Sequence, residues 1–385
     1  MTTARRGRFA GLDIVWLQSP PWHGVWTRQN HFARRLAADG ARILYVENPV
    51  AIRARIKAGL RAAAPQEVEP GITVMELPLQ LPGSRTSSLI GAINGHRFAG
   101  AVKRESARLG FGCPLVWCRL PAAIHTLERL APRGVVYDVT DDYDYYATSE
   151  AERALTRRRE QRLAARANQI FTTSEELRTK LCSLASTPVT PVSNGVDSMF
   201  FNDSPRDDPL QDVPHPRIGF VGLVASWMDF DLLSRLAAKW PKQVVIVGPV
   251  KPEVEQRLAA IPGLVRVGAV PHREVPTYLR AFDVCIQPHV INELRHRSDP
   301  LKVIEYLATG RPIVSVALRS LEPLRPVVEL ASTADDFVRL VAERIDDPRP
   351  ELALSRRAVA ATRNWDTLYL TVAERIERLW RREAR

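Results

Sequence analysis

Short apolar runs rich in Val, Ile, Leu and aromatic residues alternate along this chain with stretches whose apolar residues recur at helical spacing. In the first half, Leu12–Leu17 reads as a strand, Arg28–Ala38 as a helix and Arg42–Val46 as the next strand. The cycle returns at Pro114–Trp117 and Val135–Val139, and a charged helix around Glu150–Arg166 precedes a strand at Gln169–Thr172. Flanking Gly, Pro and Asn residues favour strands over buried helices for the short runs. Strands alternating with helices of about ten residues are the signature of parallel βαβ units.

Between Ser198 and Pro216 the alternation stops, and Asn202–Pro209 is polar and punctuated by proline, as a linker would be. A second series follows at once: Arg217–Val221, Gln243–Val247, Leu264–Val267, Asp283–Gln287 and Pro312–Val316 read as strands with helical patterns between them. The expected organisation is therefore an N-terminal domain over 1–200, a linker over 201–216, a second domain over 217–350 and a helical segment over 351–385 that returns to the first domain. The fold class is α/β, with two doubly wound parallel-sheet (Rossmann-like) domains, and such a pair places a cleft at the carboxyl ends of both sheets.

Composition narrows the classes. Of 385 residues, 45% are hydrophobic, which excludes a disordered chain, and no apolar stretch approaches the roughly 18 residues of a spanning helix. The four cysteines show neither Cys-x-x-Cys spacing nor histidines at zinc-ligand spacing, so they read as reduced thiols of a cytoplasmic protein and no metal site is expected. The net charge of +11 is uneven. Residues 1–200 hold 27 Lys+Arg against 18 Asp+Glu, whereas residues 201–385 hold 27 against 25.

Two features of the second half carry chemistry. Gly219–Phe220–Val221–Gly222 ends a strand, where glycine lets a ligand approach the backbone and amides at the following turn can hold a diphosphate. In Ser298–Asp299–Pro300–Leu301–Lys302–Val303–Ile304–Glu305, a lysine and a glutamate lie at i and i+3 near a helix start, on one face, where the helix N-terminus adds partial positive charge. With the following Thr309–Gly310–Arg311–Pro312–Ile313–Val314, this segment resembles the nucleotide-sugar segment of GT-B glycosyltransferases. Val265–Gly268 before His272, Asp283–Pro288, Thr173–Leu177 and Asn194–Asp197 resemble the same family in the same order. The resemblance implies a GT-B fold, with nucleotide diphosphate sugar as donor and no metal or other cofactor. It implies a donor site of Lys302 against the phosphates, Glu305 on the ribose hydroxyls, His289 at the nucleobase and the backbone of Gly222, Leu223, Val224, Pro300 and Leu301. A loop histidine satisfied by its neighbours is the other reading of His289.

Many retaining members carry Glu-x7-Glu ending at the position of Glu305, and here Arg297 stands where the first glutamate would be. In the first half, Val135–Asp142 places carboxylates directly after a strand and resembles the strand-end segment of the xanthan-type glucuronosyltransferases, which implies Asp141 as general base of an inverting transfer. Crowding of Asp138, Asp141, Asp142 and Asp144 would raise the pKa of one of them by like-charge repulsion. An Asx-capped turn before the next helix reads equally well.

The loop Ser19–His31 resembles an acceptor-facing loop, with His23, Trp26 and His31 as acceptor contacts, and packing of the Trp pair within the loop as the other reading. Residues 51–64 hold Arg53, Arg55, Lys57 and Arg61 with no acid and an apolar residue every fourth position, which suits the anionic inner face of a membrane as well as it suits an ordinary docked helix. Nucleic acid is not an expected partner, since the basic residues are not interleaved with aromatics on any recognised module. The expected function is transfer of a sugar to a hydroxyl of a glycan or lipid-linked acceptor in cell-surface or exopolysaccharide assembly. A nucleotide-sugar 2-epimerase of the same fold and a non-catalytic nucleotide-binding subunit are the alternatives.

Overall fold

The computed structural model describes residues 7–24, 26–50, 63–202 and 207–382. The chain forms two compact units, residues 1–193 with 369–385, and residues 194–368. The basic stretch over 51–62 lies outside the described residues.

The first unit is built on eight strands: β1 (Asp13–Ser19), β2 (Arg42–Glu47), β3 (Gln66–Glu69), β4 (Ile72–Met75), β5 (Leu115–Cys118), β6 (Gly134–Val139), β7 (Gln169–Thr172) and β8 (Val189–Pro191). Their order in the sheet is β3-β4-β2-β1-β5-β6-β7-β8, and only the edge pair β3–β4 is antiparallel. β1, β5, β6 and β7 are buried along their whole length, because helices cover both faces of a parallel sheet. Trp16 stacks on Trp117 at 4.2 Å between centroids, and Trp117 on Phe171 at 5.7 Å, so β1, β5 and β7 share an aromatic layer. The last helix, Trp365–Arg382, contributes to this unit from Tyr369 onward. Tyr369 donates to Asp39 at 2.6 Å, Arg8 pairs with Glu377 at 2.7 Å, and Phe9 lies against Trp380 at 6.2 Å.

Six parallel strands make the second unit: β9 (Ile218–Val221), β10 (Val244–Val247), β11 (Leu264–Gly268), β12 (Val284–Gln287), β13 (Ile313–Val316) and β14 (Glu329–Ala331), in the order β11-β10-β9-β12-β13-β14. Phe200, on a single helical turn, belongs to this core. The helix Ala353–Thr362 packs here as well: Arg356 donates to Gly310 O at 3.1 Å and Val327 O at 3.2 Å.

In both sheets the strand order reverses beside the first strand, between β1 and β5 and between β9 and β12. Doubly wound sheets bind ligands outside the carboxyl ends of the strands at that reversal. The residues with candidate chemistry cluster near these two places.

Candidate functional site

In the second unit the carboxyl end of β9 is shaped by glycine. Gly248 has φ +139°, and a Cβ there would lie 2.0 Å from Gly222 O, so the chain after β10 lies directly on the chain after β9. The Gly222 amide donates to Val247 O and the Val224 amide to Pro249 O, each at 2.9 Å. Val224 is fully buried, and Leu223 between the two carries the unengaged N–H of this turn among the described residues. Of the three residues whose backbone was expected beside a diphosphate, Gly222 and Val224 thus have their N–H groups engaged within the unit.

The helix Leu301–Thr309 starts at Pro300 and ends at Gly310, whose φ of +76° closes its last turn. Its Tyr306 hydroxyl accepts from Val221 N at 3.0 Å and donates to Val221 O at 3.2 Å, which fixes the helix to the end of β9. Lys302 Nζ lies 2.8 Å from Glu305 Oε2, and Lys302 Cε is 3.6 Å from the place a Gly222 Cβ would take. The glycine turn, the lysine and the helix start thus form one cradle. Glu305 is only 3% exposed, and burial raises its pKa while Lys302 draws it back down.

His289 follows β12 and is buried, with Gln287 Nε2 at 3.1 Å from Nδ1 and the Phe220 ring at 6.2 Å. Burial, with Arg295 nearby, pushes its pKa down to about 3, so the ring is neutral. Arg295 lies over the Trp227 ring at 5.1 Å, and the main chain of Met228 pairs with that of His289. Glu293 pairs with Arg319 at 2.7 Å.

Asp299 joins two motifs that are far apart in sequence. It accepts from Asn194 N at 2.6 Å and from Arg363 Nη1 at 3.0 Å, and its carbonyl accepts from Asn194 Nδ2 at 2.8 Å. Gly195 has no room for a Cβ, which would lie 2.6 Å from Arg363 O. Asp299, Tyr306, Gly248 and Arg363 escaped the sequence reading. A glycine directly after a strand run (Gly222 after Val221, Gly248 after Val247) is the one signal that recurs in the sequence.

In the first unit Asp141 follows β6, partly exposed, with Thr140 Oγ1 at 3.3 Å and the charge of Arg119 nearby. Arg119, just past β5, donates to Tyr143 Oη at 3.3 Å. The crowding of four aspartates is resolved by cations and not by repulsion. Asp138 is fully buried against Arg28 at 3.1 Å, Asp142 is 2.6 Å from Lys180, and Asp144 is 2.7 Å from Arg157. Burial, ahead of any charge effect, raises the Asp138 pKa. Lys180 also lies 3.7 Å from Asp144, so an ammonium bridges the Asp-x-Asp pair. No side-chain cap is made by Asp142 at the start of the turn Tyr143–Tyr146.

The loop after β1 packs on itself. Trp22 is buried edge-on to Tyr45 at 5.0 Å, and Trp26 is half-buried under Arg34 at 4.2 Å. Of the three expected acceptor contacts, His23 is exposed, Trp26 presents part of its ring, and His31 is only 3% exposed, edge-on to Trp26 at 5.2 Å. Among the described residues, no helix is long and apolar enough to cross a membrane.

Two parallel doubly wound sheets, with a glycine, lysine and glutamate cradle at the reversal of the second, define a GT-B protein. Residues 215–347 match the family model described as glycosyl transferases group 1. It is 27% identical over 239 residues to TuaH of Bacillus subtilis, a glycosyltransferase assigned to teichuronic acid biosynthesis, covering 57% of this chain and 59% of that one. It is also 27% identical over 272 residues to a GDP-mannose-dependent alpha-mannosyltransferase of Mycolicibacterium smegmatis, covering 68% of this chain and 66% of that one. The alignments thus span about three fifths to two thirds of these relatives. Among solved structures, the sucrose-phosphate synthase of Thermosynechococcus elongatus matches with a TM-score of 0.74 at 17% identity, over 96% of this chain and 99% of that one. HepE of Anabaena, in complex with UDP and glucose, matches with a TM-score of 0.68 at 16% identity, over 95% and 99%.

Proposed function

We propose that the protein moves a sugar from a nucleotide diphosphate sugar to a hydroxyl of a glycan or lipid-linked acceptor, in the assembly of a cell-surface polysaccharide. The observation that carries this reading is the cradle of Gly222, Leu223, Lys302 and Glu305 at the sheet reversal of the second unit. A diphosphate needs a cation and amide donors, and Lys302, the Leu223 N–H and the start of the helix Leu301–Thr309 supply them. Glu305 then accepts from the ribose hydroxyls, and no metal is called for. HepE binds UDP and UDP-glucose, and the mycobacterial relative takes its name from GDP-mannose, which supports a nucleotide-sugar donor. TuaH supports the polysaccharide context.

Asp141 is the general base. It takes the proton from the acceptor hydroxyl as that oxygen bonds to the anomeric carbon, and the bond from that carbon to the diphosphate breaks with its electron pair leaving on the nucleotide. The charge of Arg119 lies close enough to the Asp141 carboxylate to interact with it. The positive first half sits against an anionic membrane face or a phosphorylated lipid acceptor.

The test is nucleotide release from UDP- and GDP-sugars, with and without membrane lipid extract. Release that depends on the extract is the expected result, and sugar conversion without it would establish the epimerase instead. Asp141→Asn should lower acceptor-dependent turnover by about 10²–10⁴-fold with nucleotide affinity unchanged. Unaltered turnover would remove Asp141 from that role.

A further inference from the structure

The chain after β4 and the helix that follows it build an outward apolar surface on the first unit. From the end of β4 at Met75 the loop runs through Leu77, Leu79, Leu81 and Pro82 to Gly83, before the helix Ser88–Arg108 begins. This loop lies back along the helix. Asn94 accepts from the Leu81 N–H at 2.9 Å and donates to its carbonyl at 3.1 Å, and Arg97 Nη1 donates to Leu79 O at 2.8 Å. A Cβ on Gly83 would lie 2.9 Å from Ile90 Cδ1. Loop positions 79, 81 and 83 thus track helix positions 97, 94 and 90, which form one ridge at helical spacing.

The inner face of this helix is buried through Gly91, Gly95, Phe98 and Val102. Leu89 and Ile93, one residue round the helix from the ridge that carries the loop, are 71% and 43% exposed. Beside them Pro82 is exposed, and Leu79 and Leu81 are half-buried. Exposed aliphatic side chains are ordinary when they stand singly, whereas a contiguous group marks a contact surface.

Charge selects the partner. The outward face of the helix continues to Lys103 and Arg104, both exposed. Residues 79–108 hold five Lys+Arg against one acid, Glu105, which Arg108 pairs at 2.6 Å. A second copy seated two-fold on this face would bring those cations against their own images. An anionic bilayer takes both features at once, with aliphatic side chains in the acyl boundary and cations on lipid phosphates.

The surface also stands at the right end of the sheet. β4, β2, β1, β5 and β6 are mutually parallel, so the loop after β4 and Asp141 after β6 share the carboxyl end. Arg85, in the loop, donates to Tyr146 O at 3.0 Å and pairs with Glu152, which joins it to the segment that follows Asp141. A lipid-linked acceptor keeps its tail in the bilayer while its head reaches the base, which calls for membrane contact at that end.

We infer that Leu89, Ile93 and the loop Leu79–Pro82 insert into the interfacial layer of an anionic bilayer, with Lys103 and Arg104 on its phosphates. The inference rests on the membrane reading of the positive first half given above and is independent of sugar transfer.

Co-sedimentation of the full chain with vesicles tests it, using phosphatidylcholine alone and phosphatidylcholine mixed with phosphatidylglycerol. The wild-type chain should bind the mixed vesicles in preference to the neutral ones, and lose that binding as salt rises. Leu89→Ser combined with Ile93→Ser keeps every charge and should weaken binding at least about tenfold, less than the full burial of one leucine is worth. Leu354→Ser, at an 80% exposed leucine of the second unit, should leave vesicle binding unchanged. All the replaced side chains are exposed, so circular-dichroism melts and UDP or GDP affinity should match the wild type. Mixed-vesicle binding that the double variant retains, or that Leu354→Ser weakens as much, would overturn the inference and leave the membrane reading standing. Equal binding to neutral vesicles would overturn the choice of an anionic partner. Binding to neither vesicle would remove the inference and the membrane reading together. A concentration-dependent dimer in sedimentation velocity, lost in the double variant, would overturn it in favour of a self-contact.

Discussion

Replacing Lys302 by alanine tests the donor cradle and the energetics of its buried pair together. The ammonium lies 2.8 Å from a Glu305 carboxylate whose side chain is 4% exposed, and its own side chain is 17% exposed. Removing it strands a carboxylate in apolar surroundings, and breaking a buried pair costs about 3–5 kcal/mol when both partners are sealed. Water reaches this lysine, so about 1–3 kcal/mol of stability is the expected loss. The loss depends on pH. The folded pKa of Glu305 is already raised by burial, so the folded state is favoured most below the unfolded value near 4.5, and that advantage fades as pH rises through the folded value. Without Lys302 the folded value rises further, which makes the variant's deficit larger at pH 7 than at pH 4. Donor affinity should fall by about 10–150-fold, equivalent to the ~1.5–3 kcal/mol of a charged hydrogen bond to phosphate. Calorimetry with UDP and GDP gives the affinity, and urea unfolding at the two pH values gives the stability. Adding Glu305→Gln should restore most of the stability and none of the affinity. Unaltered nucleotide affinity in Lys302→Ala, or an equal stability loss at both pH values, would refute the reasoning.

Other consequences are as direct. Gly248→Ala forces a Cβ to 2.0 Å from Gly222 O, so it should lower both the melting temperature and nucleotide affinity, by about 1–3 kcal/mol in stability. Tyr306→Phe deletes both hydrogen bonds to Val221 and leaves a buried N–H unpaired, with an expected cost of about 1–3 kcal/mol in urea unfolding. His125 and His289 are held neutral, at about 4 and about 3, below the ordinary value of 6.5. Their contribution is present above pH 6.5 and is lost as pH falls toward those values, so His289→Asn should flatten the acid side of the stability profile between pH 6 and 4.

Strand alternation made β1, β2, β5, β6, β7 and β9 to β13 legible, because runs such as Val244–Val247 are apolar throughout and bounded by turn residues, whereas the three-residue β14 was too short to read. β3, with the sequence Gln-Glu-Val-Glu, carries no such signal, since an edge strand need not be apolar. The helix Ser88–Arg108 was masked by Gly91, Gly95 and Gly100, residues that weaken helical patterns and here let it pack close to His125. The Lys302–Glu305 pair was legible because three residues along a helix make neighbours. Asp299 was not, because its partner Asn194 is 105 residues away. Four aspartates within seven residues read as mutual repulsion, yet Arg28, Arg157 and Lys180 arrive from 110, 13 and 38 residues away to pair with three of them. Local sequence cannot report counter-ions that arrive through the fold.

The helix that supplies Tyr369, Glu377 and Trp380 to the first unit has a consequence for synthesis. The partners of these residues, Asp39, Arg8 and Phe9, leave the ribosome well before the helix does, Asp39 by 330 residues and Arg8 by 369. The second unit, continuous from residue 194 to 368, has all its strands before that helix is complete. The first-made unit is therefore the last to close. A chain that stops short of residue 369 leaves Phe9 and the Gly134 end of β6, where Leu379 packs, uncovered. An intact helix Trp365–Arg382 is in effect a condition for the first unit to be fully covered.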